Sequence, residues 1–152
     1  SMQNVFDAQD AQEYINRINN LTPETQRKWG KMSVDQVLAH LNVAYDLTFT
    51  PEKFPKPSFI AKFLLSRFVK PKITNEIPYK QSLPTSPAFI IADERNFEEE
   101  KAKLIGNIQR VQQLGREAFE GKENINFGKM TAQCWNNMFA KHLNHHLEQF
   151  GV

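Results

Sequence analysis

Cysteine is almost absent from this 152-residue chain. Cys134 is the only one, so no internal disulfide can staple the fold, and a reducing, cytoplasmic setting is expected. A charge excess of one sign is missing too. Nineteen Lys and Arg stand against seventeen Asp and Glu, a net charge of +2, which is not the basic footprint of a nucleic-acid partner. Long apolar runs are also lacking. The most apolar stretch, residues 59–69, is interrupted by Lys62 and Arg67 and falls far short of the ~20 residues that span a bilayer. Its apolar residues spread around a helix rather than along one clean face, so burial is expected and a membrane partner is not. The opening Ser1-Met2-Gln3-Asn4 has neither the basic start nor the apolar run of a signal peptide, and Ser1 ahead of Met2 reads as an expression remnant.

What is present suits one helical domain over residues 2–152, since 40% of the residues are hydrophobic and the length is that of a common single core. Residues 8–21 repeat apolar side chains at three- and four-residue steps (Ala8, Ala11, Tyr14, Ile15, Ile18, Leu21), with Asp7 placed to cap the start. Thr22-Pro23 suggests a short helical turn. A second helix is expected from Ser33, where Ser33 and Gln36 form a capping-box pair, to about Phe49. Its inward stripe is Ser33, Gln36, Val37, His40, Val43, Ala44 and Leu47.

Seven of the eight prolines fall between Pro51 and Pro87, which marks an irregular crossover with one short helix at 59–69 and room for an extended pair within 72–91. Residues 53–72 hold six basic side chains and no acidic one, a local charge that would attract an anionic ligand if it is not merely solvated. A third helix is expected from after Asp93 toward Phe119, weakened at Gly106 and Gly115. Its run Glu98-Glu99-Glu100 suits a helix N-terminus and reads as a solvated face. The last helix should be capped by Thr131 and stop before Gly151, with Trp135, Met138, Phe139, His142, His146 and Gln149 on its inward stripe. Four long helices and one extended crossover describe an all-α four-helix bundle.

An internal echo links the second and fourth helices. Trp29-Gly30-Lys31-Met32-Ser33 leads into one and Phe127-Gly128-Lys129-Met130-Thr131 into the other, and each helix then carries His-Leu-Asn, at 40–42 and at 142–144. If the two halves pack face to face, His40 approaches the second histidine group. His142 and His146 are four residues apart, so their Cβ atoms stand roughly 5–6 Å apart on one face. His40, His142 and His146 are therefore the candidate metal ligands. Three imidazoles with no fourth protein ligand leave a coordination position open, as in catalytic sites. Burying three imidazoles without a common partner would be costly. His145 lies at the edge of the stripe and is placed outside the site, while Gln36 and Gln149 are candidates to orient the imidazoles. Cys134 sits off the stripe and reads as a small hydrophobe. Leu143 follows His142, so the His-Glu-x-x-His motif of zincin peptidases is absent. A general base would come from elsewhere, with Tyr14, Asp46 or the crossover as candidates and no catalytic residue selected.

The Trp29-to-His40 segment and the closing run Lys141-His142-Leu143-Asn144-His145-His146-Leu147-Glu148-Gln149-Phe150-Gly151-Val152 resemble the DinB/YfiT-like metalloenzyme superfamily, and in particular a branch catalogued as a domain of unknown function. The resemblance spans most of the chain but not the crossover. It implies an up-down-down-up bundle in which His40, His142 and His146 bind a divalent ion, usually zinc or nickel. Better characterised relatives include thiol-dependent transferases and a thiol-dependent isomerase. The expectation is a metal-dependent transferase or hydrolase acting on a small-molecule thiol or substrate. The alternative is a non-catalytic metal-binding or stress-response bundle protein. A homodimer is compatible with the size, although no strip of residues identifies an interface.

Overall fold

A computed structural model describes residues 3–82 and 85–152. The crossover proline Pro84 lies outside the described residues, as do Ser1 and Met2. The chain is mostly helical. Helix α1 (Ala8–Asn19) begins where the Asp7 carboxylate accepts the Asp10 N–H at 3.0 Å, which supplies a donor-rich helix end with an acceptor. Residues 22–25 form a single turn closed by Thr25 N–H to Thr22 O, not the helical turn expected at Thr22-Pro23.

Helix α2 (Val34–Phe49) starts after Ser33, whose N–H donates to Gln36 Oε1 at 3.0 Å. The Ser33 hydroxyl donates to the Asp35 carboxylate. An unbroken run from Val37 to Tyr45 is buried, so α2 is enclosed on more faces than its predicted stripe. Besides Tyr45, that run holds two polar side chains, His40 and Asn42, and Asn42 is satisfied at both ends of its amide. It donates to Glu100 O and to the Glu100 carboxylate and accepts from Asn107. Glu100 is thus part of a buried polar contact rather than of a solvated face.

The crossover is more helical than its prolines suggest. Helix α3 (Phe59–Leu64) is capped by Ser58 Oγ, a wide π turn follows at Leu65–Val69, and α4 (Lys70–Thr74) completes the segment. Pro71 has no N–H to give, and a π turn just before it re-spaces the hydrogen bonds so that the ring does not collide with the preceding carbonyl. Burial was expected here. Only the inner residues Leu65, Val69 and Ile73 pack on the core, whereas Phe59, Ile60, Phe63, Leu64 and Phe68 are exposed.

The third long helix, α5 (Phe97–Leu114), is capped by Asn96 Oδ1 and stops at Gly115, whose φ of 80° no β-branched or bulky residue adopts comfortably. The chain resumes as the short α6 (Arg116–Phe119), so the single helix expected to run to Phe119 is two. The stretch 72–91, which left room for an extended pair, forms none among the described residues. The strands are β1 (Glu123–Asn124) and β2 (Gly128–Lys129), an antiparallel hairpin leading into α7 (Ala132–Gln149). Thr131 Oγ1 accepts the Cys134 N–H to cap α7, and Cys134 is half-buried against the core.

Helices α1 and α2 each pack on both α5 and α7. All four feed one apolar core that includes Tyr14, Ile18, Leu38, Leu41, Leu104, Ile108, Trp135, Phe139 and Leu143. Helix α7 also buries Asn136, Asn137 and Lys141. These polar residues serve irregular backbone. Asn136 Oδ1 accepts the Val5 N–H at 2.7 Å, Asn137 Nδ2 donates to Thr74 O at 2.9 Å, and Lys141 Nζ donates to Lys72 O and to Asn75 Oδ1. The last two tie the open carbonyls at the end of α4 to α7.

The buried amide of Asn42 and the exposed pair Lys103–Asp46, 3.1 Å apart, join the same two helices with different expected weights. Asn42→Ala leaves buried groups of α5 unpartnered and is expected to lower unfolding stability by about 2 kcal/mol. Lys103→Ala should change it by less than about 1 kcal/mol. Urea unfolding of the two variants checks the ordering.

Candidate metal centre

His40 lies on the second turn of α2, and His142 and His146 occupy successive turns of α7. The packing of the two helices brings the three rings into a near-equilateral triangle. Ring centroids are 4.8 Å apart for His40–His142, 4.5 Å for His40–His146 and 5.0 Å for His142–His146. One nitrogen from each ring lies within 4.8 Å of the others. The ring planes are steeply inclined to one another, by 62° to 80°, so edges rather than faces meet.

Hydrogen bonds set which edge each ring presents. The Nδ1–H of His40 donates to the carbonyl of Phe89 at 2.8 Å, and His40 Nε2 then stands 2.9 Å from His142 Nε2. The Nδ1–H of His146 donates to Gln149 Oε1 at 2.7 Å. The Gln149 amide is itself fixed, because Nε2 donates to Trp29 O at 3.0 Å. Two of the three rings thus spend Nδ1 on an oxygen acceptor and keep Nε2 free of protons, the tautomer a metal-ligating histidine needs. Two imidazole nitrogens on one tetrahedral zinc stand roughly 3.3 Å apart, given Zn–N bonds of about 2.0–2.1 Å. The spacing found between His40 and His142 needs only a small adjustment to match it.

The electrostatics favour neutral rings. Burial is the main cause of a lowered pKa at all three histidines, with repulsion among the rings adding to it at His142 and His146. His146 is brought down to about 3. No carboxylate belongs to the group, and the hydrogen bonds to Phe89 O and Gln149 Oε1, which favour an imidazolium, are outweighed by burial; the neutral form is the one that binds a cation. His40 and His146 are 4% and 9% exposed. His142 is only half-buried, which puts the solvent-accessible side of the cluster at that ring.

The expected candidates divide cleanly. His145 packs beside His146, with centroids 4.9 Å apart, but its edge faces Trp29 and Tyr79 and it contributes no nitrogen to the group. Gln149 orients an imidazole as expected. Gln36 does not: its amide is taken by the Ser33 N–H and Asp93 O. Of the suggested bases, Tyr14 is fully buried with its pKa pushed up to about 12 by that burial. Asp46 pairs with Lys103. Neither makes a hydrogen bond to the imidazoles.

The crossover supplies what the sequence did not announce. Phe89 holds His40 through its carbonyl and packs its ring on His40 and His142 at 5.4 and 5.6 Å. Tyr79 rests on His145, with the Lys141 ammonium 4.3 Å over its own ring.

A family model described as "Protein of unknown function (DUF1569)" matches residues 2–151. The chain belongs to this family. No curated protein and no solved structure matches it. In this DUF1569 chain the paired lead-in segments share a backbone device. Gly30 and Gly128 both have positive φ, 85° and 72°. At Gly30 a Cβ would stand 2.5 Å from Gln149 Nε2, so the glycine makes room for the amide that holds His146.

The metal-free cluster makes a pH prediction. Above about pH 6.5 the imidazoles are neutral whether the chain is folded or not. Below it the unfolded chain binds protons that the folded cluster refuses, so stability falls as pH falls from 6.5 toward about 3. The slope should be about 1.4 kcal/mol per pH unit for each of His40, His142 and His146 that the fold holds neutral. Urea midpoints of chelator-treated protein at a series of pH values measure it. The double variant His40→Gln, His146→Gln should flatten the slope.

Proposed function

We propose that the chain is a metal-dependent enzyme in which His40, His142 and His146 hold one divalent ion, zinc or nickel, through Nε2. The observation that carries this reading is the pairing of Nδ1–H to Phe89 O on one ring and to Gln149 Oε1 on another while the nitrogens of all three converge. A site meant only to hydrogen-bond neutral histidines would not need both outer nitrogens anchored to acceptors and the inner ones facing each other. We read the packing of α1, α2, α5 and α7 as one up-down-down-up bundle domain of the DinB/YfiT-like kind, in which the ligands come from the second and fourth long helices.

A divalent ion in this position would lower the pKa of a water or a low-molecular-weight thiol bound beside it. The protein's own groups do the rest. Phe89 covers the triangle and restricts water, Gln149 and the Phe89 carbonyl keep two rings in the ligating tautomer, and the partial exposure of His142 leaves a path for a small molecule. Transfer of a thiol to a small electrophile and hydrolysis both fit a site that has three neutral ligands and no adjoining carboxylate. The competing reading is a bundle in which the ion only stabilises the fold.

The two readings separate on mutation. If the ion is catalytic, His146→Ala loses metal and turnover in a screen of thiols with electrophiles, and its unfolding midpoint stays close to that of the parent. If the ion is structural, the midpoint drops instead. Gln149→Leu, which removes the acceptor behind His146, should weaken metal affinity by about 10- to 100-fold. His145→Ala should leave it unchanged.

A further inference from the structure

The outer face of the crossover helix is apolar, exposed and set in basic surroundings. Two rows at four-residue steps, Phe59–Phe63 and Ile60–Leu64–Phe68, lie side by side on α3 and the π turn. Phe59, Ile60, Phe63 and Phe68 are 88%, 71%, 61% and 59% exposed. The opposite side of the same segment is already used. Leu65, Val69 and Ile73 pack on the core, Lys62 Nζ reaches Glu123 at 2.6 Å, and Lys70 Nζ donates to Lys129 O. The segment is therefore anchored from below and presents a second apolar face outward. A contiguous exposed patch of large apolar side chains marks an interaction surface rather than ordinary exposure.

Charge decides what fits that face. Residues 53–72 contribute Lys53, Lys56, Lys62, Arg67, Lys70 and Lys72 and no carboxylate. Glu52 adjoins the stretch at its start, and Glu123, which pairs with Lys62, has its pKa lowered by that lysine, with Lys129 and Lys56 adding to the effect. Arg67 lays its guanidinium 5.5 Å from the ring centroid of Phe68, so a cation stands within the apolar face on a side chain long enough to reach past it. Lys62 and Lys70 are engaged on the inner side, but a second copy of the chain docked face to face would still set the exposed Lys53, Lys56 and Arg67 against their own counterparts. An anionic lipid surface satisfies both properties at once, because acyl chains take the phenylalanines and headgroups take the lysines.

We infer that the outer face of α3 and the following turn is a peripheral membrane contact selective for anionic lipid. It lies in the plane of the interface, since no helix among the described residues is long and apolar enough to cross a bilayer. The exposure of this face removes the ground, expected burial, on which a membrane partner was set aside from sequence alone.

Vesicle flotation of the full chain tests this, comparing phosphatidylcholine alone with vesicles about one-third phosphatidylglycerol. The wild-type chain should float with the anionic vesicles and not the neutral ones, and the bound fraction should fall as salt is raised. The variants Phe59→Ser with Phe63→Ser, and separately Lys53→Glu with Lys56→Glu, alter exposed residues only. Each should reduce binding by at least about tenfold with the circular dichroism spectrum unchanged. Three results would overturn the proposal: no flotation with anionic vesicles, flotation that neither pair of substitutions reduces, or lipid-free self-association that Phe59→Ser with Phe63→Ser dissolves. Capture of an acidic amphipathic peptide without vesicle binding would equally assign the face to a protein partner.

Discussion

Only one hydrogen can lie between His40 Nε2 and His142 Nε2, which face each other at 2.9 Å in a part-buried setting, and the organisation of the molecule around that point follows from the restriction. Three imidazoles that cannot share a charge must be neutral, and neutral rings have two tautomers, so something must choose between them. Phe89 O makes the choice for His40 and Gln149 Oε1 makes it for His146. Each acceptor in turn needs a fixed backbone around it. That requirement draws an irregular crossover over α2 and brings the left-handed turn at Gly30 against the end of α7.

The crossover is consequently held by polar groups rather than by apolar contact alone. Asn137 and Lys141, one turn apart on α7, bond the loose carbonyls at the end of α4, and Lys141 caps Tyr79, which backs His145. A lysine is rarely this deeply buried. Here its three donors find two oxygens and an aromatic face, and burial lowers its pKa. The part of the crossover that covers the histidines, at Tyr79 and Phe89, follows the part that carries the exposed phenylalanines, at residues 59–68.

Much of this was legible in the sequence where local rules decide. Asp7, Ser33 and Thr131 mark helix starts because a side-chain oxygen beside orphan N–H groups has one good use, and all three helices begin there. His40, His142 and His146 were readable because helical spacing and the repeated aromatic-Gly-Lys-Met lead-in place them on facing stripes. The misreadings have physical causes. Pro71 suggested a break, but a π turn absorbs a missing N–H without ending the helix. Gly115 reads in sequence as a weak helix residue and acts as a stop through its positive φ. Burial of 59–69 is the expectation for apolar residues spread around a helix, yet such a helix can spend one apolar face on the core and leave another outside. The role of Phe89 had no sequence signal, because its backbone carbonyl does the work and every residue has one.

The most direct test is X-ray absorption at the zinc edge of protein stripped with chelator and reloaded. Three nitrogen scatterers at about 2.0–2.1 Å with imidazole outer-shell features, plus one further light atom, are expected at about one ion per chain. Failure to take up zinc or nickel, or equal uptake by the triple variant His40→Ala, His142→Ala, His146→Ala, would contradict the three-histidine centre.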